Sequence, residues 1–221
     1  MRVGLIADIH ANMVALEQLL PDLRRCDVVL GLGDYTGYYT QVNEVIATMR
    51  EMDVIGVLGN HDDFVLHGIH QPVPDAVRFG VDYAARVIEP ANRAWLEALP
   101  ATRELSCAGM KWLLCHGSPW RPLEDYMYAG SALLAETLTL DVDVVAFGQT
   151  HRPLLLTDRR PRLVNPGASG QSRQAPAVAT AVVFDSEADE WASLERPYDP
   201  APVLRLARAA GAGAWVEKHL V

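Results

Sequence analysis

Five short, largely apolar runs, each stopping at a polar loop that mostly carries glycine, constrain this chain more than any other feature. They are Val3 to Ala7 before Asp8-Ile9-His10, Val28 to Leu32 before Gly33-Asp34, and Val54 to Leu58 before Gly59-Asn60-His61-Asp62. Trp112 to Cys115 before His116-Gly117 and Val142 to Phe147 before Gly148-Gln149-Thr150-His151 complete the set. Runs this short read as strands buried on both faces. The run at Val3 to Ala7 is too short for a secretory apolar core, because Asp8 interrupts it.

Helical patterns lie between the first three runs. Asn12 is placed to cap a segment with Leu16, Leu19, Leu20 and Leu23 on one face, which Pro21 is expected to kink or split. Val42, Val45, Ile46 and Met49 form a second stripe. Strand, helix, strand, helix, strand is an α/β pattern with a parallel sheet and right-handed crossovers. A helical region follows from about Ala76 to Leu99, divided near Pro90. After His151, closely spaced apolar segments at Leu154 to Leu156, Arg162 to Val164, Val178 to Phe184 and Trp191 to Leu194 read as an antiparallel meander. A last helix spans about Ala201 to Ala210. No linker or repeat divides the 221 residues, so a single domain over 1–221 is expected.

In an open α/β sheet, ligands bind beyond the carboxyl ends of the strands. Here those ends carry Asp8, His10, Asp34, Asn60, His61, Asp62, His116, Gln149 and His151. Each alone has an ordinary structural explanation. Together, convergent carboxylates would repel one another unless a cation compensated them. Carboxylate, imidazole and amide without thiolate suit Mn, Fe, Ni, Co or Zn. Cys115 is expected on the opposite face of its strand from the site.

The ordered blocks Asp8-x-His10, Gly33-Asp34, Gly59-Asn60-His61-Asp62, His116-Gly117 and Gly148-x-x-His151 resemble the calcineurin-like metallophosphoesterase superfamily over residues 3 to about 173. Asn165-Pro166-Gly167-Ala168-Ser169-Gly170-Gln171 is similar to the Asn-Pro-Gly-Ser loop of its small bacterial branch of phosphodiesterases and diadenosine-tetraphosphatase-like proteins. The resemblance implies a four-layer α/β/β/α sandwich of two mixed sheets flanked by helices. It also implies two divalent metal ions: Asp8, His10 and His151 on the first, Asp34 bridging, Asn60 and His116 on the second. His61 would orient the phosphoryl group or protonate the leaving oxygen, with Asp62 behind it to set its tautomer. The implied activity is phosphoester hydrolysis, as a phosphodiesterase or nucleotide phosphohydrolase, by in-line attack of a metal-bridging hydroxide.

Two positions depart from the family pattern. Gln149 stands where the second metal usually has an imidazole, and could ligate through its carbonyl oxygen, hold a water, or donate to a phosphate. The protein Ser/Thr phosphatases of the superfamily carry an arginine shortly after the aspartate and a glutamate after Asn-His, where this chain has Tyr35-Thr36-Gly37-Tyr38-Tyr39 and Asp62. Both features lower the expectation of a protein phosphatase. An alternative of a different class is a non-catalytic regulatory protein that binds metal and nucleotide on the same fold. Arg121, Arg152 and Arg173 are candidates for phosphate contact, and Tyr38, Tyr39, Trp120, Tyr126 and Tyr128 for walls of the pocket. Trp215 and Leu220 could pack on the chain itself or on a partner.

Composition bounds the partners. With 28 acidic against 19 basic residues the formal charge is −9, which argues against a stable nucleic-acid complex. Asp8 and Asp34 are then expected inside a site where two cations reverse the local sign and attract a phosphate ester or nucleotide. Three cysteines without a CxxC pair suggest a reducing cytoplasm. No apolar stretch reaches the roughly 18 residues of a membrane span.

Overall fold

A computed structural model of the chain describes residues 1–218 and 220. The strands are β1 (Arg2–Ile6), β2 (Val28–Gly31), β3 (Ile55–Gly56), β4 (Thr102–Cys107), β5 (Met110–Cys115), β6 (Val144–Ala146), β7 (Pro153–Leu156), β8 (Arg162–Pro166), β9 (Val178–Asp185) and β10 (Glu190–Pro197). The α-helices are α1 (Met13–Leu23), α2 (Val42–Glu51), α3 (Asn60–His67), α4 (Asp75–Val87), α5 (Pro90–Glu97), α6 (Ala132–Glu136) and α7 (Ala201–Ala209).

Two mixed five-stranded sheets result, ordered β10-β9-β1-β2-β3 and β4-β5-β6-β8-β7. In the first, β1 pairs with β2 and β2 with β3 in parallel, while β9 runs antiparallel to β1. In the second, β5, β6 and β8 are parallel, with β4 and β7 antiparallel at the edges.

Alternation along the strands separates three apolar layers. Val3, Leu5 and Ala7 of the β1 run meet Trp112, Leu114, Val144 and Ala146 between the sheets. Ile6 turns the other way, into a layer with Leu16, Leu19, Val45, Ile46, Val81 and Leu96 under the helices of the first sheet. Cys115, Val145 and Phe147 face outward from the second sheet onto Met127 and Leu134. Cys115 is thus core, on the opposite face from Leu114, as its register requires. The layers stack as helices, sheet, sheet and helices, so the central strands are buried on two sides while the edge strands β4, β7 and β10 stay largely exposed or half-buried. Fully burying one such Leu or Phe contributes about 1.5–3 kcal/mol.

Asn12 caps α1, its Oδ1 accepting from the Ala15 amide at 3.1 Å. Pro21 lies inside α1 without splitting it. Pro21 and Glu17, whose carbonyl loses its donor, both face solvent, where water can replace the missing bond. The expected meander is corrected: β7–β8 and β9–β10 are separate hairpins in different sheets, and 167–177 crosses between them. Among the described residues, no helix is long and apolar enough to cross a membrane. Trp215 packs on Phe79 at 5.2 Å between centroids, and Leu220 is buried in the layer under the helices, so both pack on the chain itself.

Candidate metal centre

The loops after β1, β2 and β3 of one sheet face the loops after β5 and β6 of the other. The backbone there is tightly wound. Asp8, His10, Ala11, Asp34, Tyr38, Gln149 and His151 all have positive φ, between 51° and 66°. Such conformations are uncommon outside glycine and collect at functional sites.

Three histidines reach the centre in one tautomer. His10 Nδ1–H donates to the Thr36 carbonyl at 2.9 Å, His151 Nδ1–H to the Gln171 carbonyl at 2.6 Å, and His116 Nδ1–H to the Leu32 carbonyl at 2.6 Å. A carbonyl can only accept, so the hydrogen sits on Nδ1 and each Nε2 presents a lone pair. These lone pairs point at one another and at carboxylates. His10 Nε2 is 3.1 Å from His151 Nε2, and His151 Nε2 is 3.4 Å from Asp8 Oδ1. Asp34 Oδ2 lies 3.3 Å from His116 Nε2 and 3.6 Å from His10 Nε2. Both Asp8 oxygens and His116 Nε2 are buried without a hydrogen-bond partner.

Acceptors facing acceptors in a buried site call for positive charge between them. Asp8, His10, Asp34 and His151 can each bring one ligand atom to within 4.8 Å of the others, close to twice the ~2.0–2.2 Å bond of Zn to nitrogen or oxygen. Imidazoles anchored through Nδ1 are the usual form of metal-binding histidines. The residues therefore fit a divalent cation. His116 stands on Asp34 as well, and Asn60 and Gln149 line the same cavity.

Without a cation, protons take up part of that role. Burial pushes the Asp8 carboxyl up to about 8, and Asp34 beside it adds to the shift. Burial also opposes charge on His116, but the Asp34 carboxylate outweighs it and holds the imidazole up to about 10. For Asp34, burial raises the carboxyl, yet His116 and His61 draw it well below the ordinary carboxylate range. Burial drives His10 and His151 well below the usual imidazole value.

His61 lies on the open side, its Nε2 3.9 Å from Asp34 Oδ2 and its ring stacked on Tyr38 at 5.0 Å between centroids. Gly37, at φ +92°, makes room for it: a Cβ there would overlap His61 Nδ1. That Nδ1 is buried without a partner. The expectation that Asp62 backs His61 is corrected here. Asp62 accepts from the amides of Asp34 (2.8 Å), Tyr35 (3.3 Å), Thr36 (3.0 Å) and Gly59 (3.1 Å), and from the Thr36 hydroxyl (2.9 Å). It is a clamp on the loop that carries Asp34, placed there because position N3 of α3 turns back toward the helix start. Burial, with Asp34 nearby, still pushes its carboxyl up to about 6. Gly59 permits the clamp, since a Cβ would overlap the Asp34 amide and carboxylate.

The segment 165–171 holds the other side. Ser169 and Gly170 donate to the carbonyls of Ala7 (2.8 Å) and Asp8 (3.1 Å), and Asn165 Nδ2 donates to the Gly148 carbonyl (2.7 Å). Asn12 also contributes, its Nδ2 donating to the Gly170 carbonyl at 2.7 Å.

Other candidate residues divide. Tyr38, Tyr126 and Arg173 line the cavity of about 230 Å³ that opens on Asp34, Asn60, His61, Gln149 and His151. Arg173 also borders two larger hollows, one of about 640 Å³ with Tyr128 and Arg152 and one of about 500 Å³ with Tyr39 and Trp215. Trp120 and Arg121 line none of the three. Arg121 pairs with Glu124 and Asp125 in its own loop. Arg159, Arg160 and Arg162 pair with Asp158, Asp143 and Asp189.

The chain is similar to several known proteins. A metallophosphoesterase from Sphaerobacter thermophilus of solved structure matches with a TM-score of 0.84 and 28% identity, covering 98% of this chain and 97% of its own. The hypothetical protein PH1004 of Pyrococcus horikoshii OT3 shares the fold, with a TM-score of 0.84, 19% identity, and 98% and 96% of the two chains covered. The uncharacterized protein MJ0912 of Methanocaldococcus jannaschii is 26% identical over 205 residues, 84% of this chain and 83% of that protein. Residues 1–189 match the family model described as the calcineurin-like phosphoesterase superfamily domain. That span takes in all five strand-end loops, and the chain belongs to the calcineurin-like phosphoesterase superfamily.

Proposed function

We propose that the protein is a metal-dependent phosphoric ester hydrolase, acting on phosphodiesters or nucleotide phosphoesters, with residues 1–221 as one domain. The convergence of three Nε2 lone pairs on two buried carboxylates carries this reading. Asp8, His10 and His151 would hold one divalent cation, Asn60 and His116 a second, and Asp34 both. Gln149 would complete the second site through its amide oxygen or a water. When bound, the cations supply Lewis-acid charge to the phosphoryl oxygens and acidify water.

The remaining chemistry belongs to the chain. His61 sits where its imidazole can hand a proton to the leaving oxygen, an aid worth about 10²–10⁴-fold. Stacking on Tyr38 holds the ring in place. Arg173, half-buried at the cavity, offers a planar fork to the phosphoryl oxygens. The Asp62 clamp positions the Asp34 carboxylate before substrate arrives.

The test is hydrolysis of bis-p-nitrophenyl phosphate with Mn²⁺ supplied and with a chelator. Turnover that requires the metal is expected. Absence of turnover with each of Mn, Fe, Ni, Co and Zn, alongside tight binding of a nucleotide, would replace this reading with the regulatory one.

A further inference from the structure

The cavity over the ligand cluster holds about 230 Å³. Sites that enclose drug-sized ligands run to roughly 300–1,000 Å³, so this one accommodates a phosphoryl group with a small substituent. Its lining has two characters. Asp34, Asn60, Gln149 and His151 form one end, whereas Phe64, Pro72, Val73 and Val77 come from α3, the 68–74 loop and α4. Aromatic rings step from one end to the other: His10 to His61 at 4.6 Å between centroids, then His61 to Phe64 at 6.2 Å. Phe64 follows His61 by three residues on the same helix face.

These four apolar residues border neither of the two larger hollows, whereas Arg173 borders all three. Arg173 is the one guanidinium of the cavity lining, which has no lysine among the described residues. Gln71 and Tyr126, the other polar groups toward the outside, are neutral amide and phenol.

We propose that the apolar end receives the leaving group and selects an uncharged alkyl or aryl alcohol over an anionic one. The inference rests on the phosphoesterase reading. In the hydrolysis, water supplies the oxygen that bonds to phosphorus and gives up a proton. The bond from phosphorus to the leaving oxygen breaks, that oxygen keeps the electron pair, and it takes a proton from the imidazole of His61. An arene leaving beside Pro72 and Val73, with the buried Phe64 and Val77 behind them, covers apolar surface. A phosphate or carboxylate there would lose water beside these apolar side chains, where the exposed His70 ring, 5.1 Å from that of Phe64, is the neighbouring titratable group. The retained, larger part of the ester then extends past Arg173 into the neighbouring hollows.

The test compares two aryl esters of thymidine 5′-phosphate, with Mn²⁺ supplied. One releases methyl 3-(4-hydroxyphenyl)propanoate and the other 3-(4-hydroxyphenyl)propanoate; two methylenes insulate the ring from the ester or carboxylate, so the leaving phenols are alike in reactivity and differ in charge. The neutral ester is expected to have a kcat/KM about tenfold higher or more, the range one pocket contact provides. Val73→Lys, at a half-buried loop position, brings an ammonium to the apolar end and is expected to narrow or invert that ratio. Equal kcat/KM for the two esters in the native protein, or a ratio unmoved in folded Val73→Lys, overturns the inference alone. Turnover of neither ester overturns the underlying phosphoesterase reading as well.

Discussion

Asp62 accepts a 2.8 Å hydrogen bond from the amide of Asp34, 28 residues earlier in the chain. Asp62→Ala leaves the buried amides around Asp34, Thr36 and Gly59 without an acceptor, each costing about 1–3 kcal/mol. The expected result is a urea midpoint lowered by the equivalent of about 3 kcal/mol or more, with weaker metal binding. Unchanged stability would show that the loop does not depend on the clamp.

Asp34 and His61 separate holding metal from using it. Asp34→Asn is expected to remove metal and activity together, because its oxygens face both His10 and His116. His61→Ala is expected to retain the metal content and lose about 10²–10⁴-fold in rate. Elemental analysis beside the assay reads both, and the reverse pattern would exchange the assigned roles.

Metal-free protein is expected to lose stability between pH 7 and 9. Asp8, held up to about 8 against an ordinary 3.8, and His116, held up to about 10 against 6.5, keep protons that the unfolded chain has released. The native state therefore binds more protons in this window, and its stability falls as pH rises through it. His10, His61 and His151 are lowered, so their contribution is complete once the unfolded histidines have lost their protons near 6.5. Bound cations displace the same protons, so the metal-loaded protein should keep its Tm over this range. Thermal melts at pH 7, 8 and 9, with chelator and with Mn²⁺, provide the comparison.

Gln149→His is expected to raise occupancy of the second site. Gln149 is 4% exposed at the cavity and has φ +66°, a conformation histidine adopts more readily than glutamine. Titration of the chelated protein with Mn²⁺ should show a second equivalent binding more tightly in the variant. An unchanged second step would mean that this side chain does not reach the ion.

The convergence of the candidate ligands was legible because they stand at the ends of apolar runs and carry chemistry in their side chains, as Asp8, Asp34 and His116 do. The groups that orient it were not. Thr36, Leu32 and Gln171 act through their carbonyls, which every residue type possesses, so nothing in their identity points to the role. Asp62 misled for another reason: it neighbours His61 along the chain, but helix geometry turns it away, toward the Asp34 loop. Strand β4 went unread because Thr102, Arg103, Glu104 and Ser106 form a polar sheet edge with little apolar signal. Nor could local pattern show that β8 and β9 belong to different sheets, since a strand's sequence reports its burial and not its partner.

Asp8, His10, Asp34, Asn60 and His61 arrive from one sheet, and His116, Gln149 and His151 from the other. Neither half possesses the centre alone, so an ion bound there would act as a rivet through the sandwich. Separating the sheets would then require releasing the ion first, and occupancy would raise the barrier to that separation. An ion there would accordingly add its hold to the apolar layer that already joins the two sheets.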